Sequence, residues 1–308
     1  MKALVEETLR ERGRFWNLYS YISASFKKKR TERMKKMERD RNKIYTKEDI
    51  VSQLAAMQLP RDRVVLMHSS LRLVGKLCEG GKTLLDAMIE YFTADGGLFC
   101  VPTHTWSNLK REITLDMGDP NTCLGAFSNL AAADVRGVRS QNPTHSMAVF
   151  GDRARALEFI KDEATLSSGT APESCYGKLY REGGYVLLVG VAHNRNTYLH
   201  CVDEMLNMSN RLTAEPREVT VRLASGEIVK HRMRTHKTDY TPDLSLRFPK
   251  YETAFRYHGA ITDGFVGNAP TQACDARIMK DVMELILDRC EGVDPLADER
   301  SFPPKWYC

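Results

Sequence analysis

Along this 308-residue chain, short apolar runs alternate with stretches whose apolar positions recur every three or four residues. Runs bounded by glycines and polar turns predict buried strands, and the three-to-four spacing predicts amphipathic helices. The strands are RVVLMHSS (63–70), LFCVPT (98–103), SMAVFG (146–151) and YVLLVGV (185–191). The last is the most hydrophobic and is expected near the sheet centre. Helices are expected at 81–97, with Leu85, Met88, Ile89 and Phe92 on one face, and at 125–133, 152–162, 175–184 and 196–210. A last one near 275–290 turns Ile278, Met279, Val282, Leu285 and Ile286 inward. Thr46 with Asp49 reads as a capping box that opens a helix stopped by Pro60. EVTVRLASGEIVKHRMR (218–234) reads as a hairpin around Ser225-Gly226. The alternation predicts one α/β domain over 46–308, a layered mixed β-sheet flanked by helices.

Ahead of it, residues 1–45 form a basic helical N-terminal extension in this reading, with Phe15, Trp16, Leu18, Tyr19 and Ile22 on one apolar face. Residues 27–43 hold ten Lys/Arg against three acids, more than the whole chain's net +5. Such a run could serve as a phosphate-binding arm or a membrane-surface handle, but it lacks aromatics to stack bases, so nucleic acid is not the expected partner. No apolar run reaches the roughly 18 residues of a membrane span, and the first residues lack an apolar leader segment, so a cytoplasmic location is expected. The eight cysteines show no paired spacing and read as reduced thiols.

Three polar stretches follow predicted strands, where ligands of open α/β sheets gather. His68-Ser69-Ser70-Leu71, leading to Gly80-Gly81-Lys82-Thr83, suits a phosphate, although Thr83 with Asp86 is equally an ordinary capping box. Arg139-Ser140-Gln141-Asn142-Pro143-Thr144-His145-Ser146 could hold a carbonyl or an amide, or be only a polar turn. The third runs from His193 to Glu204, with Asn196 as the N-cap. There His200 shares a helical stripe with Asp203 and Glu204 at i+3 and i+4. A carboxylate so placed can fix an imidazole tautomer for general-base work, while a lone helical histidine is also a common structural residue. Cys201 points about 100° away from His200, which rules out a Cys–His dyad. P-loop, GxGxxG and HExxH patterns are missing, so nucleotide hydrolysis, Rossmann chemistry and a metal site are not expected.

In order and spacing, HSSL (68–71), TLLDAM (83–88), GGLFCVPTHTW (96–106), RSQNPTHS (139–146), ESCYGKLYREGGYVLLVGV (173–191), NRNTYLHCVDE (194–204) and GFVGNA (264–269) resemble the aminoglycoside 3-N-acetyltransferase family. The resemblance spans roughly Asp49 to Val266. It implies the antibiotic N-acetyltransferase fold, acetyl-CoA as co-substrate, a small amine as acceptor, and a monomer or homodimer. It also implies direct transfer with His200 as base. His68, Ser69, Ser70, Leu71, Thr103, Arg139, Ser140 and Ser146 would then bind CoA, and Thr197, Ser146 or a backbone N–H would face the thioester oxygen. Trp106, Asn108, Glu112 and Asp239 fall to the acceptor side. Two departures stand out. Asn142 replaces the family's usual histidine before proline. Glu112 and Asp239 are the only acids among Lys110, Arg111, Arg232, Arg234 and Lys237, where family members place carboxylates, which implies an acceptor less cationic than an aminoglycoside. Two readings compete with this one, a Cys-dependent acyltransferase or hydrolase, and a nucleic-acid or membrane adaptor using residues 27–43.

Overall fold

The computed structural model describes residues 42–308 apart from 209, 238–242 and 299. The basic extension, its apolar helical face and Asp239 therefore lie outside the described residues. Ile44–Cys308 forms one compact unit.

Twelve strands and nine α-helices are described. The strands are β1 (Ile44–Tyr45), β2 (Val64–Ser69), β3 (Lys76–Leu77), β4 (Leu98–Pro102), β5 (Leu115–Asp116), β6 (Val138–Arg139), β7 (Met147–Phe150), β8 (Tyr185–Val189), β9 (Arg217–Arg222), β10 (Ile228–Met233), β11 (Ile261–Val266) and β12 (Ala269–Asp275). The helices are α1 (Lys47–Ala56), α2 (Leu71–Val74), α3 (Gly81–Thr93), α4 (Ala126–Ala133), α5 (Arg153–Phe159), α6 (Cys175–Glu182), α7 (Tyr198–Met205), α8 (Glu252–Tyr257) and α9 (Ala276–Arg289).

The main sheet has seven strands in the order β11-β12-β8-β2-β4-β7-β6. β8, β2 and β4 run parallel, and the strands outside them are antiparallel. YVLLV thus lies beside the central strand, which is β2. Both faces of the sheet are covered, which is why its strands read as continuous apolar runs. Alternate residues divide between two cores. Val64, Leu66, Leu98, Cys100, Val186 and Leu188 pack on the side of α6, α7 and α9. Val65, Met67, Phe99, Val101, Leu187 and Val189 pack on the side of α1, α3 and α4. There Phe92, Phe99 and Phe150 stack in series at 6.1 Å centroid spacings. Burying each ring is worth about 1.5–3 kcal/mol.

The capping box at Thr46 and Asp49 forms as the sequence predicts. The hairpin β9–β10 also forms and pairs with β5 into a small second sheet. The β11–β12 hairpin was not expected, because GFVGNA lacks a paired alternating pattern on both sides. Its turn depends on Gly267, which has φ +57°; a Cβ there would come within 2.3 Å of the Val74 carbonyl oxygen. The Gln53 side chain bonds both the N–H and the carbonyl of Gly267.

Candidate active site

Because β2, β4 and β8 run parallel, the loops after them open on the same side of the sheet. β7 is antiparallel to β4, so the loop before it joins them. These loops, with α7 and the segment after β10, enclose a cavity of about 1060 Å³. It sits where open α/β sheets gather ligands.

His68, Ser69, Ser70 and Leu71 line it after β2, and Trp106 lines it after β4. Thr197 and His200 line it from α7, with Asn196 just ahead of them. The N-cap of α7 is Thr197 rather than Asn196, and its side chain makes no capping bond. The Thr197 N–H donates to Nε2 of His68 at 3.4 Å.

The other expected residues are placed differently. Thr103, Arg139, Ser140 and Ser146 do not line the cavity; they fasten its floor. The Ser146 hydroxyl donates to the Thr103 carbonyl at 2.6 Å, and the Arg139 guanidinium donates to the Thr103 carbonyl and hydroxyl and to the Asp119 carbonyl. Ser140 Oγ accepts from the Met147 N–H. Neither carboxylate on the His200 helix touches that imidazole. Asp203 is buried in an ion pair with Arg211 at 2.9 Å, and Arg211 also holds Asp294. Glu204 takes the Ser168 and Thr170 hydroxyls at 2.5 Å each. Asn108 and Glu112 line a separate cavity of about 260 Å³ with Asp116 and Asp119.

What the sequence did not single out is a group of imidazoles. His104, His145 and His236 line the cavity with His200. Ring centroids stand 4.6 Å apart for His104–His145, 5.1 Å for His145–His236 and 4.4 Å for His200–His236. Phe248 packs edge-on against His200 at 4.8 Å. His104 follows β4 in PTHTW and His236 follows β10 in RTHKT, so each stood at a strand end, the one available signal. The Tyr176 hydroxyl donates to the His145 carbonyl at 3.2 Å, which leaves its oxygen to accept from His104 Nε2 at 2.7 Å. Asn142 holds the loop under these rings. Its amide donates to Glu163 and the Gly169 carbonyl, and its oxygen accepts from the Thr144 and His145 N–H groups.

Burial lowers every one of these imidazole pKa values. His68 falls to about 3 and His236 to about 4, while His104, His145 and His200 lie well below 6.5 through burial and then mutual repulsion. All are neutral at pH 7. Thiols are held the other way. Burial raises the Cys201 thiol well above its usual value and also raises Cys123, which lines the cavity, so neither is a ready thiolate nucleophile.

The cavity wall is basic. Arg72, Lys110, Arg195, Arg211, Arg217 and Lys237 line it, against Asp243 as the one acid among the described lining residues. No described helix is long and apolar enough to cross a membrane, and no group of three or more His, Cys, Asp or Glu among the described residues could hold a metal ion.

A layered mixed α/β fold with a histidine-lined cavity at its parallel strand ends is the architecture, and comparison with known proteins places it in a family. The sequence profile described as aminoglycoside 3-N-acetyltransferase matches residues 66–288, and the chain belongs to that family. Aminoglycoside N(3)-acetyltransferase IV of Salmonella sp is 28% identical over 194 residues, covering 60% of this chain and 67% of that protein. The SPbeta prophage-derived aminoglycoside N(3')-acetyltransferase-like protein YokD of Bacillus subtilis (strain 168) is 25% identical over 178 residues, 51% of this chain, and the match spans 64% of that protein's length. Among solved structures, aminoglycoside acetyltransferase AAC(3)-IVa in complex with a gentamicin superposes with a TM-score of 0.67 at 25% identity, covering 81% of this chain and 91% of that one. The crystal structure of YokD gives 0.69 at 19% identity, covering 82% and 97%, which establishes the shared fold.

Proposed function

We propose that the chain is an acetyl-CoA-dependent N-acetyltransferase that acts on an amino group of an aminoglycoside or a related amino sugar, with His200 as general base. The observation that carries this reading is that His200 and the His68–Leu71 turn open on one cavity. At about 1060 Å³ it is larger than the roughly 300–1,000 Å³ of single small-molecule sites, which suits two substrates held together. In a direct transfer the amine nitrogen bonds the acetyl carbon, the C–S bond breaks with its electron pair on sulfur, and the amine proton passes through His200 to the thiolate. A neutral imidazole on a packed helix suits that step. The Thr197 hydroxyl, at the start of α7, is the donor for the thioester oxygen, since its own N–H and those of Leu199 and His200 are already bonded. A fold neighbour at 19% identity, AAC-IIIb, was solved as a binary complex with CoASH and shares the fold; the co-substrate assignment rests on family membership and on this cavity.

The basic lining favours a second reading in the same fold, an acceptor less cationic than an aminoglycoside. Calorimetry with acetyl-CoA, followed by thiol release with gentamicin and a panel of neutral and acidic amino sugars, tests both. Acetyl-CoA should bind, and His200→Ala should keep that binding while transfer falls by roughly 10²–10⁴-fold. No binding of acetyl-CoA would reject the proposal.

A further inference from the structure

His236 is held by a hydrogen-bond chain that fixes where its proton sits. Its backbone lies between two segments. On one side Arg234 N–H bonds Ser167 and residue 234 bridges Ser168; on the other, Leu212 bridges His236 and Lys237 N–H bonds the Arg211 carbonyl. On its ring, Nε2 meets Thr170 Oγ1 at 3.0 Å. Thr170 is fully buried and donates its single hydroxyl proton to Glu204 Oε1 at 2.5 Å. The other Glu204 oxygen takes the Ser168 hydroxyl at 2.5 Å.

A carboxylate accepting two hydroxyl protons has none to return, and a hydroxyl has only one to give. Thr170 Oγ1 can therefore meet Nε2 only as an acceptor, and the proton of neutral His236 is on Nε2. Among the described residues nothing hydrogen-bonds Nδ1, whose lone pair is left bare. Glu204 stands four residues after His200 on α7, so the helix that carries the proposed base also anchors, through Thr170, the ring packed against it.

We propose that His236 is a positioning residue for His200: Glu204 and Thr170 lock it as the Nε2–H tautomer, so that its bare Nδ1 accepts from the imidazolium that His200 becomes when it takes the acceptor's proton. Without such an acceptor, that cation would form in a buried site beside Arg211, and both the burial and the guanidinium oppose it. This assignment rests on His200 being the base, but its first test does not need a substrate.

Long-range ¹H–¹⁵N spectra of protein labelled at histidine, with His236 assigned by its loss in His236→Gln, report the tautomer in the apo protein. The expected result is protonation on Nε2, preserved in Thr170→Ser and lost or mixed in Thr170→Val. His200 should titrate at lower pH in Thr170→Val and Glu204→Gln than in the parent or Thr170→Ser. With any acceptor that turns over, Thr170→Val should lower kcat by about tenfold or more while acetyl-CoA affinity stays the same, a smaller loss than removal of the base. Protonation on Nδ1 in the parent protein would overturn the proposal, as would a tautomer and a His200 titration that Thr170→Val leaves unmoved. If the tautomer is as expected but acetyl-CoA does not bind, the transfer reading fails and the Nε2–H assignment stands.

Discussion

Gly169 backs onto His145 with no room for a side chain, since a Cβ there would lie 2.3 Å from Nδ1 of His145 and 2.4 Å from Oγ1 of Thr144. The neighbours cannot yield easily, because Asn142 ties both residue 169 and residues 144–145. Gly169→Ala should cost about 1–3 kcal/mol of stability, the usual cost of overpacking. It should also displace the His145 ring that packs against His104 and His236. Chemical denaturation gives the first quantity, and histidine chemical shifts report the second. An alanine variant as stable as the parent, with unmoved imidazole signals, would show that the loop gives way freely.

Arg211 is the cation of a buried triad, with Asp203 on one side and Asp294 on the other. Burial raises the Asp203 pKa to about 6 even with this partner in place. Burial acts on Asp294 in the same sense, but there Arg211, Asn210 and the Leu296 N–H prevail and draw the carboxyl well below the usual range. Arg211→Met leaves Asp203 buried without a counter-charge, and breaking such a pair costs about 3–5 kcal/mol. The sign of the pH effect follows from the raised carboxyl. Below about pH 6 the parent's Asp203 already holds its proton and needs no counter-charge, so the loss on removing Arg211 grows as pH rises above about 6, where the parent ionises and the variant resists, and shrinks on acidification. Urea midpoints at pH 5 and pH 8 should differ less from the parent at pH 5. A loss that is constant across that range would mean Asp203 is solvated in the variant.

The sheet was legible because burial on both faces writes each strand as an unbroken apolar run, and the capping signals at Thr46 and Gly183 fix helix ends locally. The site was legible only where the chain itself juxtaposes its parts, as in His68–Leu71 or Thr197–His200. Asp203 and Glu204 lie at the right helical spacing from His200, yet each is claimed by a partner distant in sequence, Arg211 for one and Ser168 with Thr170 for the other. Thr103, Arg139, Ser140 and Ser146 belong to motifs that do border the cavity, but their polar atoms are consumed in joining β4 to β6 and β7. No period in the sequence brings residue 236 beside residue 200. That contact depends on the pairing of residues 211–213 and 167–168 with the strand end after β10.

Acid sensitivity should follow from six histidines that burial keeps neutral: His68, His104, His145, His193, His200 and His236. Each has a folded pKa below its unfolded value near 6.5, so its contribution is complete above pH 6.5 and is lost as pH falls toward 4. Three buried carboxyls act in the opposite direction, Glu163 at about 7, Asp203 at about 6 and Glu204, which burial also raises. Six opposing three leaves a net loss on acidification, with each histidine contributing up to about 1.4 kcal/mol per pH unit. Denaturant midpoints should fall steeply between pH 6.5 and 5, and His236→Gln should reduce that slope by up to one proton. A flat profile over this interval would mean the cavity is wet enough for the imidazoles to titrate normally.

Charge on the acceptor can be tested in the same cavity, because among its described lining residues five cations, Arg72, Lys110, Arg195, Arg217 and Lys237, face one acid, Asp243. CoA is itself polyanionic and will neutralise some of them, so acceptor binding has to be measured with CoA already saturating. Opposite unit charges about 4 Å apart at a protein surface attract by about 1–4 kcal/mol, and salt weakens that attraction. An amino sugar bearing a carboxylate or phosphate should therefore bind the CoA complex more tightly than its neutral parent, by tenfold or more, and lose the advantage as ionic strength rises. Gentamicin, a polycation, should bind weakly and tighten slightly with salt as repulsion is screened. Lys237→Ala should narrow the gap between the acidic and the neutral acceptor without affecting acetyl-CoA affinity by a comparable factor. Tight gentamicin binding that weakens with salt would reverse the argument and point to acids outside the large cavity, with Glu112, Asp116 and Asp119 around the smaller one as the first to substitute.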